Sequence, residues 1–249
     1  MLVQLYSPQT VMHTEASRKI LAWYSRFDVW AGYMAGSEVA LSREWFCASV
    51  EYFKQMLILD PTSLGSKFEL VLASHRLLAM DMAFLCAKLP RGIISVQDFI
   101  REDQVITEKV STWRTSLEEL VANQEHLTVS YEGAPEPDPE DIVDPYRPGG
   151  LYTGPLWTWN YLMLDWYAFK VMHAFQVALM LQQSPPADLG QYALELCRIF
   201  EAIEYWQGSP PAAILPAQVS LAVAGLFLQK DERHIMWIRR KLASIESMG

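Results

Sequence analysis

Apolar residues recur at intervals of three and four along most of this chain, the spacing at which side chains share one face of an α-helix. From about Glu15 to Ala35, the positions Ile20, Trp23, Tyr24, Phe27, Trp30, Ala31 and Met34 form such a stripe and predict an amphipathic helix buried along it. Ser42 is placed to cap a second helix carrying Trp45, Val50, Phe53 and Leu57, which Asp60-Pro61 ends. A third helix runs from about Ser66 to Lys88 and stops at Pro90. A fourth starts at a Ser95/Asp98 cap, carries Phe99, Ile106, Val110, Trp113, Leu117 and Leu120, and ends near Gln124.

The pattern then breaks. Five prolines and six acidic residues fall between Glu132 and Pro148, and proline both removes a backbone donor and blocks helix. Residues from about 128 to 155 therefore read as a long acidic, proline-rich loop, a solvated connector first and an interaction segment second. Periodicity returns in a core helix from about Leu156 to Gln183, closed by Pro185-Pro186. A sixth helix, Asp188 to Gln207, carries Leu189, Tyr192, Leu196, Ile199, Phe200 and Ile203. A seventh, near Ala217 to Leu228, is apolar on nearly all sides. The last is capped by Asp231 and striped by Ile235, Ile238, Leu242 and Ile245. No segment alternates with period two, so the expected fold class is all-α: an irregular array of about eight helices forming a single domain over 1–249.

Within and after the first helix lies a specific polar string: Arg26-Phe27-Asp28, Gly32, Gly36, then Leu41-Ser42-Arg43-Glu44-Trp45. Near the other end come Leu215-Pro216, Ala222-Val223-Ala224-Gly225, then Trp237, Lys241-Leu242 and Ile245-Glu246. Together these two blocks resemble the regulatory (middle-homology) domain of fungal binuclear zinc-cluster transcription factors. Residues 47 to 210 match that family only in helical character and loop placement. The resemblance implies transcription regulation in the nucleus through protein partners, including homo- or heterodimers, or through a small-molecule effector. Zinc would belong to an upstream DNA-binding module, since the six clustered cysteines of that module are not among the three here. No cofactor is expected in this chain.

Composition narrows the choices further. Hydrophobic residues at 51% with nine Trp mean that most of the chain must pack. A net charge of −9 opposes direct binding to a polyphosphate, so no direct nucleic-acid contact is expected. The one dense basic run, Arg239-Arg240-Lys241, reads as cations complementing the dipole of the last helix. Cys47, Cys86 and Cys197 are far apart and read as small buried hydrophobes. Leu156 to Leu181 is the segment nearest to a membrane span, but Asp165, Lys170 and His173 interrupt it, so it is expected to be a core helix.

Arg26, Asp28, Arg43 and Glu44 are the charged members of the signature. Ion pairing would make them a clamp between the first two helices, and a catalytic or ligand role is the alternative. Phe27, Gly32 and Trp45 complete the set as structural residues. On the third helix, Asp81 and His75 are polar groups on an apolar face, and Asp81 reads as a ligand contact only if it lacks a basic partner. Asp165, His173 and Gln176 form one polar stripe on the core helix, with Thr158 beside them and Lys170 at its edge. They would either line a ligand cavity or make an interhelical seam. Neither H-E-x-x-H nor Glu-x-x-His occurs, and there is no G-x-S-x-G or phosphate-cradling glycine loop. The expectation is a non-enzymatic regulator. The alternative is a small-molecule receptor or helical enzyme using the core-helix stripe.

Overall fold

A computed structural model of the chain describes residues 6–120, 122, 126–128 and 130–248. It is 68% helical with no strand among those residues. The helices are α1 (Pro8–Val11), α2 (Glu15–Ala35), α3 (Arg43–Leu59), α4 (Leu64–Lys88), α5 (Val96–Leu120), α6 (Trp159–Met180), α7 (Leu189–Tyr205), α8 (Gln218–Phe227) and α9 (Glu232–Glu246). Short 3₁₀ turns at Gly154–Leu156 and Leu215–Ala217 lead into α6 and α8. The all-α expectation holds, and only α1 was not foreseen. The expected end of the fourth helix near Gln124 lies outside the described residues. The sequence suggested one domain over 1–249; backbone contacts group into two compact units, Met1–Leu120 and Val121–Gly249, each described by itself.

Caps explain the boundaries. Asp98 N donates to Ser95 Oγ at 3.1 Å and His234 N to Asp231 Oδ1 at 2.9 Å, satisfying backbone donors that a helix start leaves free. Ser63 does the same for α4 through Ser66 N at 3.2 Å. Ser42 occupies the N-cap of α3 with extended backbone but makes no side-chain cap bond.

In the first unit α4 is central, packing on α2, α3 and α5. It is also the described helix long and apolar enough to cross a membrane by length and composition, and most of its apolar window is buried. Trp113 on α5 donates its indole N–H to Val71 O on α4 at 3.0 Å, which fixes that pair's register. His75 is buried on α4, with its ring 5.1 Å from that of Trp113.

The expected burial of α2 is wrong in one respect. Leu21, Ser25, Val29, Trp30, Gly32 and Tyr33 face inward, and of the predicted stripe only Trp30 is among them. Ile20, Trp23, Tyr24, Phe27, Ala31 and Met34 point to solvent, Trp23 at 64% exposure. Two apolar faces exist on this helix, and periodicity cannot say which one the rest of the unit covers. The chain leaves α2 through Gly36 at φ 61, a left-handed conformation that glycine adopts without steric cost. It then folds back so closely that a Cβ on Gly32 would sit 2.9 Å from Val39 Cγ1 and 3.1 Å from Ser37 O.

In the second unit α7 packs on α6 and α8, and α8 also on α6 and α9. Phe200 and Trp237 meet edge-on at 6.3 Å in its centre. The acidic loop is tied at its base by a bridge between Leu127 and Tyr152. Thr128 N donates to Leu151 O at 2.9 Å, and Thr153 N donates to His126 O at 2.7 Å. Asn160 on α6 grips Tyr152 from both sides of its peptide, accepting from Tyr152 N at 2.9 Å and donating to Tyr152 O at 2.8 Å.

Gly32→Ala should destabilise the chain by about 1–3 kcal/mol, because the neighbour that must yield includes backbone as well as a side chain. Urea unfolding followed by circular dichroism tests it, and an unchanged midpoint would show that the turn yields freely.

Candidate functional site

Two polar constellations and one groove stand out. In the first unit the signature charges act on the turn after α2 and on α4. Both oxygens of Asp28 accept backbone N–H groups, from Ala40 and Leu41, each at 2.8 Å, so this carboxylate closes the turn instead of forming the expected ion pair. Arg43 makes a two-pronged bond to Asp81, Nε to Oδ1 at 2.8 Å and Nη2 to Oδ2 at 3.1 Å. That geometry suits guanidinium and carboxylate and pins the start of α3 to the middle of α4. Asp81 therefore has its basic partner, which removes the case for a ligand contact there. Trp45 is buried, as expected for a structural residue, whereas Phe27 stacks on Trp23 at 4.6 Å on the exposed face. Glu44 is exposed in the first turn of α3, where a negative charge complements the helix dipole.

An open groove of about 960 Å³ runs beside this joint, lined in part by Met12, His13, Arg43, Glu44, Cys47 and Tyr52. Arg43 Nη1 lies 3.3 Å from Cys47 Sγ. Cys86 and Cys197 are buried, and burial pushes both thiols up, that of Cys86 to about 12. Cys47 is half-buried, which corrects the expectation that all three are interior.

The second constellation joins the acidic loop to α7 and α9. Arg240 contacts Asp138 at 3.1 Å, Glu140 at 2.7 Å and Asp141 at 3.1 Å. Lys241 reaches Asp141 at 3.5 Å, Glu201 at 3.1 Å and Glu204 at 2.5 Å. Arg233 donates to the Asp141 carbonyl, the Tyr205 hydroxyl to Asp141 Oδ2 at 2.6 Å, and the Trp237 indole N–H to Glu201 Oε1 at 2.6 Å. The basic triplet is thus not the dipole-complementing group predicted from its position: two of its three members hold the loop. The loop is correspondingly a docked element here, not a solvated connector. In the buried face of α9, Lys241 lies between Trp237 and Ile245, while Ile235, Ile238 and Leu242 are only half-buried.

Asp141 and Glu201 place two carboxyls together out of water. Burial pushes Glu201 up to about 8; Lys241 opposes this and the neighbouring Asp141 reinforces it. Burial also acts to raise Asp141, but the Tyr205 hydroxyl, the Glu201 carboxyl, Lys241 and Arg240 together hold it below its ordinary value. For Lys241, burial favours loss of the proton, and the bond to Glu204 with the surrounding acids outweighs it, so the ammonium is retained. Of the two carboxyls, Glu201 is therefore the one whose protonated form is favoured.

The core-helix stripe is split between different surroundings. Asp165 and Gln176 are buried and His173 is half-buried, with its ring 5.8 Å from Phe169. Asp165 accepts from Ser220 Oγ on α8 at 2.7 Å, which is a helix-to-helix seam. Thr158 precedes α6 without a side-chain cap bond, and the Lys170 ammonium lies over the Tyr192 ring at 3.6 Å. Among the described residues no group of three or more His, Cys, Asp or Glu side chains could hold a metal ion. Sequence reasoning missed the loop clasp, because its acids and cations lie about a hundred positions apart; the only signal was an acidic loop and a basic triplet in one chain.

Compared with family models, curated proteins and solved structures, the chain matches none.

Two outcomes follow from the clasp. Lys241→Ala leaves three acids facing one another and should destabilise the fold by about 3–5 kcal/mol, read from urea unfolding. For Glu201, whose folded value lies above its ordinary 4.5, the proton is bound more tightly in the folded chain. Its contribution is therefore complete below about 4.5 and fades as pH rises toward about 8. Glu201→Gln, which keeps an oxygen for Trp237, should remove about 1–3 kcal/mol of the loss between pH 5 and pH 8. Parallel pH profiles for the two proteins would contradict this assignment.

Proposed function

We propose that this chain is a regulatory module of the kind found in fungal zinc-cluster transcription factors. It acts in the nucleus through protein partners or a small effector, not by catalysis and not by touching DNA itself. The observation that carries the reading is the signature joint. Asp28 closes the turn after α2, Gly32 lets that turn approach, and Arg43, which also lines an open groove, locks α3 to Asp81 on α4. The resembling residues are thus engaged in holding three helices in one arrangement, which is what a domain that relays a change of packing requires. The net charge of −9 agrees with a DNA contact made elsewhere. The receptor or enzyme reading built on Asp165, His173 and Gln176 is weakened by the Ser220 bond, which engages the Asp165 carboxylate between helices.

The chain fused to an unrelated DNA-binding domain should change expression of a matching reporter in fungal cells by several-fold. Arg43→Ala, which opens the joint but leaves the groove lining otherwise intact, should alter that level. A reporter indifferent to both fusions, with the proteins present in the nucleus, would overturn the regulatory reading.

A further inference from the structure

Charged side chains, more than apolar ones, hold the acidic loop against α7 and α9. Of residues 130–148 only Asp141 and Pro145 are buried, so the segment carries no large apolar side chain fully into the interior. Its anchors are Asp138, Glu140 and Asp141 on Arg240, Asp141 on Lys241, and the bond from the Tyr205 hydroxyl to Asp141. Ring contacts of Tyr131 with Trp206 and of Tyr146 with Tyr205 add to these. The base is closed by separate bonds: Thr128 N to Leu151 O, Gly149 N to Thr128 O, and the Asn160 grip on Tyr152. A segment so built can lift away while its ends stay in place.

At the centre of the clasp two carboxyls meet. The side chains of Asp141 and Glu201 are 2% and 0% exposed, and each reaches the Lys241 ammonium, at 3.5 and 3.1 Å. Lys241 and the Trp237 indole take Glu201 Oε1, whereas Oε2 is buried and no donor among the described residues meets it. The Glu201 and Asp141 carboxyls are in hydrogen-bond contact, which two acids can share only while one of them carries a proton. Burial, opposed by Lys241 and reinforced by Asp141, raises Glu201 to about 8. Burial also raises Tyr146 on the loop and Tyr205 and Cys197 on α7, and the surrounding acids outweigh burial at Lys241, so these four keep their protons there. Arg240 and Glu204 add one charge of each sign.

Loss of the shared proton leaves two buried carboxylates in contact. Their repulsion acts on the loop, because Glu201 and Lys241 are fixed in packed helices and Asp141 is not. We propose that residues 130–148 form a proton-controlled strap: a proton shared by Asp141 and Glu201 keeps it docked on α7 and α9, and loss of that proton releases it about its closed base. Release uncovers Arg233, Arg240 and Lys241 beside Tyr205, a cationic face that the docked strap neutralises. The strap involves the second unit alone and does not depend on the regulatory reading.

A protease specific for acidic residues, with cuts between Glu132 and Asp144 of the full chain followed by mass spectrometry, tests it. Dividing each rate by that for a free peptide of residues 130–148 cancels the protease's own pH dependence. The wild-type ratio should rise roughly ten-fold or more between about pH 6 and about pH 9, with helical circular dichroism unchanged. Glu201→Gln, whose amide N–H can donate to Asp141 at every pH, should stay at the lower ratio throughout. Arg240→Gln, at the surface, should raise the ratio already at the lower pH. A wild-type ratio that is flat with pH overturns the proposal, and so does a rise accompanied by loss of helix. It is equally overturned by a Glu201→Gln chain that keeps the rise, or by an Arg240→Gln strap cut no faster than wild type at the lower pH. If Glu201→Gln does not fold, the wild-type and Arg240→Gln measurements still decide.

Discussion

Removing the Lys241 ammonium from water costs several kcal/mol, and the polar contacts that hold the acidic loop to α7 and α9 meet that cost. Asp141 comes from the loop, Glu201 and Glu204 from α7, and the lysine itself from α9. No pair among them suffices. Burial and the neighbouring Asp141 favour the protonated form of Glu201, which lowers the negative charge around Lys241, and Arg240 adds a second positive charge from the rim. The position of the loop, the packing of Trp237 on Phe200 and the register of α7 against α9 follow from the same few contacts.

Magnitude explains why the basic triplet misleads a reader of the sequence. Complementing a helix dipole is worth about 0.3–1 kcal/mol at an exposed position, whereas a desolvated cation with inadequate partners loses several times that. Once Lys241 is inside, its partners and not the helix end decide where it points. Nothing local signals this, because Asp141 and Lys241 are distant in sequence and the loop between the helices has no periodicity to place it.

The helices themselves were readable because their signals are local. Ser95 with Asp98, Asp231 with His234, and the prolines after α4 and α6 act within a few residues, and α2 begins and ends where its pattern says. What could not be read was which of two apolar faces of α2 the unit would cover, since periodicity groups residues onto a face without saying what lies against it. The same limit separated Asp28 from its role. A carboxylate beside the apolar stripe of a helix looks available for an ion pair, and only the turn that brings Ala40 and Leu41 back over it shows that backbone donors claim both oxygens.

Burial sorts the three thiols into two kinds. Cys86 and Cys197 are shut away and held in the protonated, unreactive form, while Cys47 stands half open at the groove beside Arg43. The native chain therefore offers a single attachment point for a thiol-directed fluorophore. That label would sit next to the arginine–aspartate lock on α4, so its emission would report on the lock without any change to the sequence.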